Sequence, residues 1–148
     1  MLQDIDREMN FMKGSEDVFF DANILAYAFD ESDPRRKEKC GTLVKAGFQG
    51  ENACLVSNQV LAELFAVLTR HAKSPLSEEN AGVIVNGFID SSKWTKLNYT
   101  HLTIKRALID IETINTSFCD LLIAETMRDA IIKKSDDWRG KNCRSFAF

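Results

Sequence analysis

Four acidic positions mark the chemistry open to this sequence: Asp21, Glu63, Asp120 and Asp137. Asp21 ends the apolar run Val18-Phe19-Phe20, and Glu63 lies six residues after Ser57, which closes the run Ala53-Cys54-Leu55-Val56. Asp120 follows Ser117-Phe118-Cys119 at the head of an apolar stretch, and Asp137 stands beside Asp136 after Ile131-Ile132. Singly, each has an ordinary explanation. Asp21 can cap the segment that follows it, and Glu63 can be a solvated helix residue. Asp120 can close an S-x-x-D capping box with Ser117, and Asp136 and Asp137 can be turn residues. As a set they suggest more. Carboxylates gathered at one edge repel, each pair at ~4 Å costing about 1 kcal/mol in water and ~4 kcal/mol at a surface-like dielectric. A hard divalent cation relieves that repulsion, and magnesium and manganese prefer oxygen ligands. Such an ion acidifies its bound water and stabilises charge on a phosphodiester undergoing displacement.

Placing these acids together requires strands that end near one another, and the pattern supplies them. A buried strand is predicted over residues 18–20 and another over 53–57, each a short apolar run. Helices are predicted over 22–29, from Pro34 to about Ala46, over 58–71, 78–90, 102–112 and 118–128. Gly47 and Gly50 are expected to close the second of these, and Ser77 to cap the fourth. Residues 94–97 and 130–132 read as further strands, and 143–148 as an edge strand. Strands alternating with helices imply an α/β fold with a central parallel sheet of about four to five strands flanked by helices. In open sheets of this kind, sites form outside the carboxyl ends of the strands. Residues 1–16 read as an N-terminal extension and 17–148 as one domain, with no repeat or linker.

Composition narrows the class. At 148 residues, 45% hydrophobic and 28% charged, the chain is an ordinary globular domain. No apolar run approaches the ~20 residues of a membrane span, and the polar start Met1-Leu2-Gln3-Asp4 is no secretory signal. Cys40, Cys54, Cys119 and Cys143 lie far apart without a C-x-x-C pair, so a reduced, cytoplasmic protein is expected. His71 and His101 have no metal-ligand spacing. The net charge of −3 does not advertise a nucleic-acid binder. Basic residues that could hold a phosphate backbone are nevertheless present: Arg35, Arg36, Lys37, Arg70, Lys73, Lys133, Lys134 and Arg139. For any one of them a solvated charged face is the plainer reading.

The motifs resemble those of PIN-domain proteins, particularly VapC-type toxin ribonucleases of toxin–antitoxin pairs. The run from Val18 through Asp21, Asn23 and Phe29 is similar to the family's strand, acid and opening helix. Ser57-Asn58-Gln59-Val60-Leu61-Ala62-Glu63 is similar to its second motif, and Ser117-Phe118-Cys119-Asp120-Leu121-Leu122-Ile123-Ala124 to its third. The resemblance spans about residues 18–148. It implies that Asp21, Asp120 and Glu63 are metal ligands for Mg2+ or Mn2+, with Asn23 and Ser117 supporting them by hydrogen bonds. It further implies RNA as substrate, a possible antitoxin protein as partner and a possible homodimer. The fourth acid departs from the family pattern: the interval 137 − 120 = 17 is short and the usual preceding glycine is missing, so either Asp136 or Asp137 fits.

Two enzyme classes with a strand-borne Asp fit poorly. A haloacid-dehalogenase-like phosphatase needs a second Asp where Asn23 stands, and a receiver domain needs an Asp where the second strand ends at Val56-Ser57. The remaining alternative is a non-catalytic PIN-like domain that binds RNA or protein.

Overall fold

A computed structural model describes Lys13–Gly14 and residues 17–142, with side-chain surroundings for residues 17–131. The elements follow one another as β1 (Lys13–Gly14), β2 (Asp17–Phe19), α1 (Ala22–Tyr27), α2 (Pro34–Gln49), β3 (Ala53–Ser57), α3 (Asn58–Ala66), α4 (Glu78–Asp90), β4 (Trp94–Leu97), α5 (His101–Asp110) and α6 (Phe118–Asn142). A π-helical turn, Val67–His71, extends α3 directly. The chain divides into two compact units, residues 1–96 and 97–148.

In the first unit the sheet order is β1-β2-β3-β4. β2 and β3 run parallel, with Asp17 opposite Ala53, Val18 opposite Cys54 and Phe19 opposite Leu55. A parallel neighbour requires a crossover, which α1 and α2 provide. The sheet is smaller than the expected four to five parallel strands. Its body is the three strands β2, β3 and β4, and the two-residue β1 joins antiparallel to β2. The tail of the predicted N-terminal extension thus pairs with the sheet. The strand predicted over 130–132 is also corrected: these residues are helical, inside α6. The apolar pair Ile131-Ile132 gives no period to separate strand from helix, and Ala124 to Arg128 upstream carry the helix through it. The edge strand predicted over 143–148 lies outside the described residues.

The helices form where capping chemistry permits. Asp33 accepts the Arg36 N–H and Pro34 occupies the first turn of α2, while Gly50 at φ 75° takes the left-handed position that ends it. Gly47 does not close α2 but lies within it. A Cβ there would stand 2.6 Å from Trp94 and 2.9 Å from the Cys54 sulfur, so helix, β4 and β3 meet at that glycine. Around it, Phe20, Phe48, Phe88 and Trp94 form an aromatic cluster with edge-on and tilted rings at 4.8–5.5 Å. Phe88 and Trp94 are 0% and 1% exposed, which places the core of this unit beneath α2 and α4. Ser57 and Ser77 cap α3 and α4 through Val60 and Asn80, as the sequence suggests for Ser77.

The second unit is built on α5 and α6. Ala107, Leu121 and Leu122 are its buried apolar centre, with Tyr99, Ile104 and Phe118 packed around them. A charged lattice lies beside that centre. Arg106 donates through Nε to Glu125 (2.7 Å) and through Nη2 to Asp129 (2.5 Å), and Thr103 donates to the other Asp129 oxygen at 2.8 Å. Arg128 reaches the second Glu125 oxygen at 3.3 Å.

Candidate functional site

Asp21 occupies the N-cap position of α1, two residues past the last residue of β2, with extended backbone at φ −83° and ψ 156°. That is the carboxyl end of a parallel strand, where α/β sheets place their sites. Its side chain makes no capping hydrogen bond to α1. Helix capping therefore does not account for an acid here. Asn23, expected to support the acid, sits exposed on the first turn of α1, and no described residue hydrogen-bonds its side chain.

Glu63 projects from α3 beside the buried stripe Val60, Leu61 and Leu64, and is half-buried as its angular position predicts. Gln59, one turn earlier, donates its amide to Glu63 Oε1 at 2.8 Å. The bond fixes the carboxylate's rotamer and leaves Oε2 without a described hydrogen bond. The helix that carries Glu63 is anchored at its start by Ser57, whose fully buried hydroxyl accepts the Val60 N–H at 3.1 Å.

Asp120 and Ser117 form the predicted pair in the second unit. Ser117 Oγ accepts the Asp120 N–H at 3.2 Å and donates to Asp120 Oδ2 at 2.7 Å, with Thr116 Oγ1 3.5 Å from the same oxygen. The arrangement caps α6 and orients the carboxylate at once, so the structural and functional roles of this pair coexist. Oδ1 keeps no described hydrogen bond, and both residues are exposed. Asp136 and Asp137 lie in the helical backbone of α6 rather than in a turn after a strand, and their side chains lie outside the described residues.

Two further acids of α6, Glu125 and Asp129, are excluded from a metal role by their partners. Both Glu125 oxygens and both Asp129 oxygens are taken by Arg106, Arg128 and Thr103. The Glu125 and Asp129 carboxylates, Glu125 first, hold the Arg106 guanidinium above its ordinary pKa. This lattice was not anticipated from the sequence; its only trace there is the i, i+4 spacing of Glu125 and Asp129.

The donor chemistry of Asp21, Glu63 and Asp120 suits a hard divalent ion, since all three present carboxylate oxygen and at least two keep one oxygen unengaged. Among the described residues, no group of three or more His, Cys, Asp or Glu side chains is gathered closely enough to hold a metal. No described helix is long and apolar enough to cross a membrane.

No family profile and no curated protein matches the chain by sequence. In structure, the chain resembles a solved protein. The crystal structure of Mycobacterium tuberculosis VapC20, described as a toxin that cleaves the sarcin-ricin loop, superposes with a TM-score of 0.58. The match covers 76% of this chain and 82% of that one at 20% identity. The fold is PIN-like. At that identity the likeness speaks for architecture alone.

Proposed function

We propose that this protein is a metal-dependent endoribonuclease that hydrolyses RNA phosphodiesters, the toxin of a toxin–antitoxin pair acting in the cytoplasm. The observation that carries the reading is Asp21: an acid at the carboxyl end of a parallel strand, in a PIN-like fold, that does not cap its own helix. Asp21, Glu63 and Asp120 are the proposed ligands of Mg2+ or Mn2+, with Asp137 as a fourth acid and Ser117 and Asn23 as supporting residues. When bound, the ion would supply an acidified water and stabilise charge on the phosphodiester. The protein's own groups do the rest. Gln59 holds the Glu63 carboxylate in one rotamer, and Ser117 with Thr116 fixes which Asp120 oxygen faces outward. An antitoxin protein is the proposed partner, in keeping with the fold shared with a toxin.

A second reading, a non-catalytic PIN-like domain that binds RNA or protein, is favoured by one observation. The segment expected to bring the fourth acid to a strand end continues as helix α6 through Asp136 and Asp137. Assay of a structured RNA with and without manganese separates the two. The nuclease reading expects cleavage that chelator stops and that Asp21→Asn lowers at least ~100-fold, the scale on which lost electrostatic stabilisation acts. RNA binding that ignores both chelator and Asp21→Asn, without cleavage, selects the binding module.

A further inference from the structure

Among the basic residues that the sequence offers for holding a phosphate backbone, the structure sets Arg36 apart. Its guanidinium lies over the Tyr27 ring, with Cζ 4.6 Å from the ring centroid. Its Nε is shielded from solvent and lies 3.5 Å from Asp33 Oδ2, yet makes no hydrogen bond. The terminal nitrogens hydrogen-bond no described residue either. A guanidinium carries its N–H donors in a rigid fork. Stacking and an ion pair thus hold Arg36 in place while the fork stays unengaged.

A second cation converges on the same place. Lys73 follows the π-helical turn Val67–His71, which packs on α1. It is exposed and hydrogen-bonds no described residue. Asp30, whose N–H bonds to the Tyr27 carbonyl, is attracted by both Lys73 and Arg36, so the two cations surround one point at the end of α1. The acids there have fixed engagements: Asp30 Oδ1 accepts the Ser32 N–H, and Asp33 Oδ1 accepts the Arg36 N–H. Lys37, by contrast, already donates to Glu31.

We propose that Arg36, backed by Tyr27 and joined by Lys73, is a subsite for a backbone phosphate of the RNA substrate. The inference rests on the reading of the protein as a ribonuclease and names where its substrate is held. An arginine fork bonds phosphate oxygens bidentately, whereas a lysine offers a point charge. Tyr27 stands ~9 Å from the Asp21 end of α1, at ~1.5 Å of rise per residue. A strand seated on Arg36 therefore reaches Asp21 within about three nucleotides, at ~3.4 Å of rise each. Backbone contact of this kind positions the RNA without reading its sequence.

Fluorescence anisotropy of the full chain with a labelled single-stranded RNA tests it, in chelator and over a series of potassium chloride concentrations. Arg36→Gln, with an unchanged circular dichroism spectrum, should weaken binding about tenfold at low salt and equally for RNAs of different sequence. It should also lower the slope of log affinity against log salt by about 0.7, the share of a single phosphate contact on a single strand. Lys73→Gln should lower the slope likewise. Arg36→Lys should keep the slope and still lose several-fold in affinity, because the charge stays and the fork goes. Lys37→Gln, whose cation is already paired, should bind within about twofold of wild type. A wild-type chain that binds no RNA in chelator overturns the proposal. So does an Arg36→Gln loss that is absent or depends on RNA sequence, or a Lys37→Gln loss of equal size, which would mark a diffuse field. RNA that binds through Arg36 but is never cut with manganese present refutes the nuclease reading and leaves the subsite standing. Cleavage and binding that both ignore Arg36→Gln refute the subsite alone.

Discussion

At the scale of single residues, several acids of this chain are explained by the groups they bond. Glu125 and Asp129 are explained by Arg106. Asp120 is explained in part, because it shares a capping box with Ser117. Ser117→Ala should therefore cost about 1 kcal/mol of stability, the usual worth of a lost N-cap hydroxyl, and urea denaturation reads it directly. Under the proposed nuclease function, the same change should lower RNA cleavage by more than the unfolded fraction accounts for, because it also frees the Asp120 carboxylate to rotate. Asp30 gives a separate test, in acid. Hydrogen bonds from Ser32, side chain and backbone, hold its carboxyl below the ordinary value of 3.8, with Lys73 and Arg36 adding weaker attraction. A depressed folded-state pKa adds stability that is present above pH 3.8 and is lost as pH falls through the folded value. Asp30→Asn should then lower the denaturation midpoint slightly near neutral pH, and the gap from wild type should close by the acid end of a pH series. A gap that widens towards acid would contradict the assigned direction.

At the scale of elements, the glycines separate positions under packing constraint from positions under none. Gly47 has no room for a methyl group, with Trp94 and the Cys54 sulfur inside ordinary contact distance. Gly82, in the middle of α4, has nothing within 4 Å of the added carbon. Gly47→Ala should destabilise by about 1–3 kcal/mol through overpacking, whereas Gly82→Ala should stabilise by roughly 0.5–1 kcal/mol through helix propensity. Thermal unfolding of the two variants beside wild type should show midpoints moving in opposite directions. The sequence does not distinguish these two glycines, because only the tertiary position of Trp94 does. Local signals were legible where chemistry is local: Pro34 at the start of α2, Gly50 at its end, Ser77 before α4 and the strand at residues 94–97. They failed at residues 130–132, where a short β-branched run belongs to a long helix. Two branched residues in a row record a preference for strand but carry no periodicity, and the helix already running from Phe118 decides their state.

At the scale of the whole molecule, the PIN-like frame was legible because it is written in order: strand and acid, strand and capped helix, then an acid opening a helix. Those three stretches are Val18–Asp21, Ser57–Glu63 and Ser117–Asp120, and they reach about 100 residues along the chain. Order along a chain says nothing of how carboxylates share an ion, which depends on distances that only a folded chain has. A metal that binds the native state and not the unfolded one leaves a thermodynamic mark independent of any RNA. At one hundred times its dissociation constant, a single bound ion adds about 2.7 kcal/mol of stability. Titration with manganese should therefore raise the unfolding midpoint of the wild-type chain progressively. Asp21→Asn should flatten that response, since the amide keeps the side chain's shape and removes the charge proposed to hold the ion. Glu125→Gln serves as the opposite control. It weakens the carboxylate that Arg106 and Arg128 share, so it should lower the metal-free midpoint and leave the manganese increment intact. If both variants respond to manganese as wild type does, the ion is not held by Asp21, and the assignment of the strand-end acid as its ligand fails.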